Sequence, residues 1–235
     1  MDKEIKVVPK TLALIPDGNR RWARKHQLTI PMGYNKGVDR FLEFSKWCME
    51  YGINSITVWM LSIENLSRPK HELSALFSIY KRVASDKKLI SELQRTETKV
   101  KVIGRKDLLP KDVVASFTRL EEQTKSNKKR VINMLLAYGG RDDIIEATKR
   151  VVEKAISKGT AKIEDLFERS LVSYGIPNID FIIRTSGEQR LSGFIPWQSD
   201  YSELYFSKKL WPDFTKEDLK RAIMDYSKRQ RRFGK

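Results

Sequence analysis

The chain has 235 residues, a formal net charge of +16 and a hydrophobic content of 40%, which is the balance of a globular protein with a sizeable core. One cysteine excludes an internal disulfide, and two histidines exclude a histidine-rich metal site. So basic a chain is compatible with nucleic acid, an anionic membrane surface or phosphorylated small molecules as partners. The apolar runs are too short to span a bilayer and the first ten residues lack an apolar signal core, so we expect a cytoplasmic protein.

Short apolar runs alternate along the chain with longer amphipathic runs. This alternation predicts an α/β fold with a mainly parallel central sheet of about six strands flanked by helices. No linker or repeat interrupts it, so we predict a single domain over residues 1–235, with 1–10 as an N-terminal extension. In chain order, the predicted elements are strand 11–15, helix 37–51, strand 55–61, helix 69–95, strand 99–103, helix 110–125, strand 131–136, helix 141–157, strand 179–184, strand 203–206 and a helix from about residue 215.

The first predicted strand leads into a loop that carries the residues Asp-Gly-Asn-Arg-Arg-Trp at positions 17–22. Ligands of a parallel sheet collect beyond the carboxyl ends of its strands, so this loop is a candidate site. Gly18 lets backbone N–H groups approach a diphosphate, and Arg20 and Arg21 can neutralise it. Asp17 offers the oxygen ligands that Mg²⁺ prefers. Alternatively, Asp17 is only the N-cap of the helix that follows.

Three more polar segments follow predicted strands: Ser-Ile-Glu-Asn at 62–65, Tyr-Gly-Gly-Arg at 138–141 and Arg-Thr-Ser-Gly-Glu-Gln-Arg at 184–190. In the last of these, Arg184, Arg190 and the nearby Ser192 predict a second diphosphate site, although a basic surface loop has the same composition. The cluster around Asn65 fits either turn chemistry or a site.

Together these segments resemble the cis-prenyltransferase (undecaprenyl diphosphate synthase-like) family, from about Leu12 to the C-terminus. Further matching segments are Ser-Arg-Pro at 67–69, Glu-Leu-Tyr-Phe at 203–206, Leu-Trp-Pro-Asp-Phe at 210–214 and Arg-Arg-Phe-Gly at 231–234. The resemblance implies Mg²⁺-dependent condensation of an allylic prenyl diphosphate with isopentenyl diphosphate. The growing chain is apolar, so a hydrophobic tunnel is expected between sheet and helices.

The resemblance also implies roles for individual residues. Asp17 and Glu203 would bind Mg²⁺, and Asp17 and Asn65 would be catalytic. An amide is a poor base, so a positioning role for Asn65 in proton removal is easier to accept. Arg68 and Glu72 would lie on a loop and helix start that close over the substrates. Substrate contacts are implied for Gly18, Asn19, Arg20, Arg21, Trp22, Ser62, Ile63, Glu64, Arg68, Arg184, Arg190, Leu191 and Ser192.

The family forms dimers, so the resemblance implies a homodimer. Its C-terminal motif, here Arg232-Phe233-Gly234, would reach the neighbouring active site. A lipid product further implies peripheral contact with a membrane.

Several positions depart from the family pattern and bear on the donor site and the tunnel. They are Ile30, Tyr34, Leu66, Gln189, Leu135 and Leu136. Neutral drift is one interpretation. The other is an altered donor site and a tunnel narrowed by the two leucines, which predicts a short product or an irregular condensation that is not head to tail.

Two alternative functions stay open at this point. A non-catalytic accessory subunit of a heterodimer tends to lose the first-loop residues, but Asp17, Gly18, Asn19 and Arg21 are retained. A nucleic-acid-binding domain gives no reason for Asp17 and Glu203 in a site, so we expect no nucleic-acid partner.

Overall fold

The computed structural model describes residues 5–158 and 163–230, which form one α/β domain. The strands are β1 (Thr11–Ile15), β2 (Ser55–Trp59), β3 (Thr98–Ile103), β4 (Arg130–Leu135), β5 (Phe181–Arg184) and β6 (Glu203–Phe206). The helices are α1 (Asn19–Lys25), α2 (Ile30–Glu50), α3 (Lys70–Ala84), α4 (Lys87–Arg95), α5 (Lys111–Thr124), α6 (Gly140–Lys158), α7 (Ile163–Ser170) and α8 (Lys216–Lys228).

The six strands form a single sheet in the order β3-β4-β2-β1-β5-β6, and every neighbouring pair is parallel. This confirms the predicted fold class. All the strands therefore end at the same edge of the sheet, and the loops after β1, β2 and β5 meet there. The chain leaves β1 on one side towards β2 and returns on the other side at β5. Such a reversal of strand order opens a crevice in which ligands of open α/β sheets bind.

The two faces of the sheet carry different cores. Successive residues of a strand point to opposite faces, so Leu12 and Leu14 of β1 join the larger core whereas Ala13 and Ile15 join the smaller one. The larger core includes Phe44 of α2 and lies beneath the long helices. The larger core is where an apolar ligand chain could be accommodated.

Helix α1 packs closely on α2 because α2 has glycine at the contact. A Cβ on Gly37 would lie 2.2 Å from Asn19 Oδ1, and one on Gly33 would lie 2.6 Å from the Asn19 carbonyl oxygen. Neither separation is sterically allowed. The two glycines, four residues apart on one helix face, thus let the loop after β1 lie directly over the helix layer.

Several predicted boundaries are wrong. Helix α2 begins at Ile30 and not at residue 37, with Pro31 in its first turn, where proline is well tolerated. The single helix predicted over 69–95 is two helices, because Asp86 accepts hydrogen bonds from the N–H groups of Lys88 and Leu89 and caps a new helix. Helix α7 was not predicted at all.

The described part of the N-terminal segment is anchored to the domain. Ile5 is buried in the larger core, and the N–H groups of Lys6 and Val7 donate to Ser227 Oγ on α8. In residues 5–158 and 163–230, none of the helices has the length and apolar character needed to cross a membrane. The C-terminal motif Arg232-Phe233-Gly234 lies outside the described residues.

Candidate active site

Two loops meet where the strand order reverses. Ile15 and Arg184 pair across β1 and β5, so the residues that follow them are neighbours. Arg184 Nη2 donates to Asp17 Oδ2 at 3.0 Å, and Thr185 Oγ1 donates to the Asp17 carbonyl oxygen at 2.7 Å. The structure therefore places the carboxylate predicted to bind metal next to the arginine predicted to bind diphosphate.

Asp17 is an ionised carboxylate between two guanidiniums. Its Oδ1 lies 3.4 Å from Arg21 Nη2, on the side opposite Arg184. Burial alone would raise the pKa of Asp17, but the hydrogen bond and charge of Arg184, together with Arg21 and Ser186, hold the pKa below its usual value. The N-cap of α1 is Gly18, with φ of 112° and no side-chain cap, so the alternative role of Asp17 as a helix cap is wrong. A Cβ on Gly18 would also lie 2.9 Å from Leu210 Cδ2.

Arg184 is held rigidly by the loop after β5. It is 6% exposed, and its Nη1 donates to the Arg190 carbonyl oxygen at 2.6 Å and to Ser192 Oγ at 3.0 Å. Its Nε is buried and makes no hydrogen bond within the described residues. Ser192 has φ of 55°, which turns the loop back towards the arginine. A buried guanidinium fixed in this way presents a preorganised positive charge to an anion.

A second basic group forms the opposite wall of the site. Arg20 of α1 and Arg68, just before α3, each approach Glu72 at 3.6 Å. The Tyr34 hydroxyl donates to Glu72 at 2.5 Å. Glu72 itself is 3% exposed. This wall combines two arginines with a buried carboxylate and a tyrosine, none of which contacts Asp17.

Both walls open into a cavity of about 760 Å³ on the face of the larger core. This volume lies within the range of small-molecule sites, roughly 300–1,000 Å³. Its mouth is polar, whereas its interior is apolar. The interior is lined by Val38, Phe41, Val58, Met60, Leu76, Tyr80, Val83, Leu89, Leu93, Phe117, Leu120, Ile132, Met134 and Trp211.

A smaller cavity of about 250 Å³ lies deeper, at the amino edge of the sheet where Thr98 and Arg130 begin their strands. Five side chains line both cavities and so form the partition between them. They are Leu42, Ser45, Leu89, Leu93 and Ile132.

Most of the residues predicted for the site line the larger cavity. They are Asp17, Gly18, Asn19, Arg20, Arg21, Ser62, Glu64, Asn65, Arg68, Arg184 and Ser192. The others lie outside it. They are Trp22, Ile63, Arg190, Leu191 and Glu203.

Each residue outside the cavity has another contact. The Trp22 indole donates to Asp213 Oδ1 at 2.7 Å, and Arg190 forms an exposed ion pair with Glu188. Ile63 lies against Gly139, and Leu191 packs on the smaller core.

Glu203 is the predicted residue that the structure separates most clearly from Asp17. It pairs with Phe181 at the start of β5, three residues before Arg184 and about 10 Å away along the strand. Its carboxylate accepts a hydrogen bond from Arg229 Nη1 at 2.7 Å. Within one chain, therefore, Glu203 lies towards the opposite edge of the sheet and does not complete a metal site with Asp17.

Comparison with known proteins agrees with this arrangement. The prenyltransferase family model, described as an undecaprenyl diphosphate synthase, matches residues 15–234. An isoprenyl transferase from Thermus thermophilus is 40% identical over 239 residues, spanning 97% of this chain and 89% of the relative. The chain belongs to the undecaprenyl diphosphate synthase family of cis-prenyltransferases. Enzymes of this family condense prenyl diphosphates.

Two solved structures share the fold. Lavandulyl diphosphate synthase from Lavandula x intermedia, in complex with dimethylallyl diphosphate, superposes with a TM-score of 0.91 at 33% identity, covering 97% of this chain and 99% of that chain. A probable undecaprenyl diphosphate synthase from Campylobacter jejuni gives a TM-score of 0.78 at 32% identity, with the same coverage.

The prediction that Leu135 and Leu136 narrow the tunnel of this cis-prenyltransferase is wrong. Along β4, Ile132 and Met134 line the cavity, so Leu135 points to the opposite face, where it is buried in the smaller core. Leu136 is buried after the strand ends and does not line the cavity either. The residues that limit the cavity come from the partition, and two of them lie on α4.

Two residues outside the predicted set of site residues also line the cavity, although the sequence already marks Tyr34 as a departure from the family pattern. Arg24 lines the cavity mouth one helical turn after Arg20, a spacing that the sequence already contained. Tyr34 lines it too and bonds Glu72, whereas Ile30 packs against the core. Of these two departures from the family pattern, Tyr34 thus lines the cavity and Ile30 does not.

Proposed function

We propose that the protein is a Mg²⁺-dependent prenyltransferase that condenses an allylic prenyl diphosphate with isopentenyl diphosphate. The observation that carries the proposal is the ionised Asp17 carboxylate between guanidiniums at the mouth of an apolar cavity. Diphosphate groups need positive charge and metal, and prenyl chains need an apolar enclosure. The site offers all of these within one opening.

The chemistry of the residues fits Mg²⁺ bound jointly with substrate. In the described residues, no three side chains of histidine, cysteine, aspartate or glutamate converge as a metal site. Mg²⁺ is commonly held by one or two carboxylates together with substrate phosphates and water, which suits Asp17 alone. When bound, Mg²⁺ would stabilise the negative charge that develops on the departing diphosphate. Glu203 has no part in this proposal.

The arginines of the site suit two diphosphates. Arg20, Arg21 and Arg68, with the backbone at Gly18 and Asn19, are proposed to bind the allylic diphosphate. Arg184 and Ser192 are proposed to bind that of isopentenyl diphosphate. Arg190 would join them only on leaving Glu188. The complex of the lavandulyl relative with dimethylallyl diphosphate supports an allylic diphosphate as one substrate.

Asn65 is proposed to position groups in the step that removes a proton. Its backbone N–H donates to Ser62 Oγ at 3.2 Å, and its side chain lines the mouth beside Glu64. The amide cannot take up the proton itself at neutral pH, so it would orient the group that does.

The product is proposed to be short. If each carbon takes about the share of liquid volume of a water molecule, about 30 Å³, a five-carbon unit needs about 150 Å³. The whole of the larger cavity corresponds to roughly five units, and because its mouth would also hold the diphosphates, the apolar interior holds fewer. The partition, rather than Leu135 and Leu136, would set this limit.

The enzyme is also proposed to be a homodimer. Ile145, Val152 and Ile156 lie on one face of α6 and are 54%, 51% and 83% exposed. Trp197, which packs on Phe167 of the adjacent α7, is 45% exposed. Apolar surface of this kind marks association sites. Sedimentation velocity over a range of concentrations tests the proposal, and a monomer throughout would contradict it. Peripheral membrane contact, a cytoplasmic location and the absence of a nucleic-acid partner stay predictions.

Product analysis tests the reaction. The protein is incubated with isopentenyl diphosphate and dimethylallyl, geranyl or farnesyl diphosphate, with Mg²⁺ or with a chelator. The dephosphorylated alcohols are identified by mass spectrometry and by their double-bond pattern. We expect Mg²⁺-dependent cis products of about five units or fewer. No product with any donor would contradict the proposal, and a linkage other than head to tail would identify the irregular alternative.

A further inference from the structure

Glu72 is a buried carboxylate that the proposed reaction leaves without a role. It lies in the first turn of α3 and is 3% exposed. Its oxygen is 3.6 Å from Arg20 Nε and 3.6 Å from Arg68 Nε, beyond good hydrogen-bond distance. Arg20 and Arg68 line the cavity, whereas Glu72 does not. The carboxylate thus lies behind the two guanidiniums, on the side away from the cavity.

Tyr34 connects this carboxylate to one of the arginines. Its hydroxyl donates to Glu72 Oε1 at 2.5 Å and accepts from Arg68 Nη1 at 3.0 Å. Burial and the hydrogen bond to Glu72 raise the pKa of Tyr34, so the phenol stays protonated and acts as a donor at neutral pH. The Arg68 guanidinium also lies 6.0 Å from the centre of the Tyr34 ring.

We propose that Tyr34 and Glu72 are positioning residues: the hydroxyl fixes the carboxylate, and the carboxylate holds Arg20 and Arg68 in the orientation that receives the substrate diphosphate. The inference rests on the proposed role of the two arginines as diphosphate ligands. A flexible arginine loses conformational entropy when it binds, and an arginine already held by a rigid partner loses less. The site thus gains preorganisation from a neutral side chain.

The partners available to Glu72 favour positioning over a purely structural role. A carboxylate buried only for stability would be expected to accept close hydrogen bonds from its cations, yet the Nε of each guanidinium remains 3.6 Å away. Arg20 Nε is buried and makes no hydrogen bond among the described residues.

Binding of inorganic diphosphate by calorimetry, with the KM for dimethylallyl diphosphate, tests the inference. Tyr34→Phe keeps the ring but removes the hydroxyl. Glu72→Asp keeps the carboxylate but, with a shorter side chain, moves it away from the two arginines. We expect each to raise the Kd and the KM about tenfold, which is ~1.4 kcal/mol, with little change in kcat. Tyr138→Phe is the matched control, because it removes a buried tyrosine–carboxylate bond, to Asp143, that lies outside the cavity. It should leave the Kd unchanged.

A double-mutant cycle with Arg68→Ala separates positioning from general loss of packing. Tyr34 acts on Arg68 directly and through Glu72, but on Arg20 only through Glu72, so Tyr34→Phe should change the Kd only about threefold once Arg68 is gone. A tenfold effect in both backgrounds, or an unchanged Kd in folded Tyr34→Phe and Glu72→Asp proteins, would overturn the inference. An unchanged Kd in Arg68→Ala would instead overturn the proposed diphosphate site.

Discussion

Leu93→Ala should lengthen the product, because Leu93 is one of the five side chains between the two cavities. The side chain is 6% exposed and belongs to α4, a helix that follows directly after the break at Asp86. Removing its outer carbons would open the larger cavity to the second one, of about 250 Å³. At about 150 Å³ for a five-carbon unit, the added space admits one or two further units.

Mass spectrometry of the dephosphorylated alcohols measures this change. A buried Leu→Ala substitution costs about 2–5 kcal/mol, so the variant should be assayed well below its melting temperature. Leu135→Ala is the matched control: it is the same substitution at a buried position on the opposite face, and it should leave product length unchanged. If Leu93→Ala is folded and active but its product matches the wild type, the partition does not limit chain length. A wild-type product of ten or more isoprene units would also contradict the proposal that the partition limits chain length.

Two more predictions follow from burial and charge. Arg184→Ala should lower kcat/KM at least 100-fold, because it removes the buried partner of Asp17. Arg190 is exposed and pairs with Glu188, so Arg190→Ala should raise the KM for isopentenyl diphosphate only about tenfold. Equal effects of the two variants in steady-state kinetics would refute the distinction. Asp218 is buried, which alone raises its pKa, but bonds from Lys209 and Thr215 lower the pKa to about 2. The carboxylate thus stabilises the fold above pH 4 by about 2 kcal/mol and loses this contribution as the pH falls towards 2. Asp218→Ala should therefore cost stability in urea at pH 7 and much less near pH 2.5, and an equal cost at both pH values would contradict the linkage.

The parallel sheet and the edge that carries the site were predictable, because alternating apolar periods and polar segments after strands are local signals. The division of 69–95 into two helices was not, since Asp86 is one charged residue in a run that is helical on both sides. Its capping role depends on a backbone turn that periodicity does not report.

The hydrogen-bond and ion-pair partners of the charged residues could not be predicted from the sequence either. Glu203 and Arg190 match the family motifs, but Arg229 and Glu188 hold them in this chain. Leu135 was predicted to narrow the tunnel because the sequence does not show which face of the sheet its side chain is on. A shift of one residue moves a strand side chain to the other face, so only the register with β2 could decide it. In the sequence, Tyr34 is only a departure from the family pattern, whereas in the structure its hydroxyl donates a hydrogen bond to Glu72.

The central claim is that Asp17 carries Mg²⁺-dependent prenyl transfer at the carboxyl edge of the sheet. The direct measurement is condensation of labelled isopentenyl diphosphate by Asp17→Asn, titrated with Mg²⁺, beside wild type and with circular dichroism of both. Asparagine keeps the shape but removes the charge that binds metal. We predict a folded protein whose turnover falls at least 100-fold, about 3 kcal/mol, at saturating Mg²⁺. Near-normal turnover of the folded variant, or full wild-type activity in a chelator, would contradict the claim.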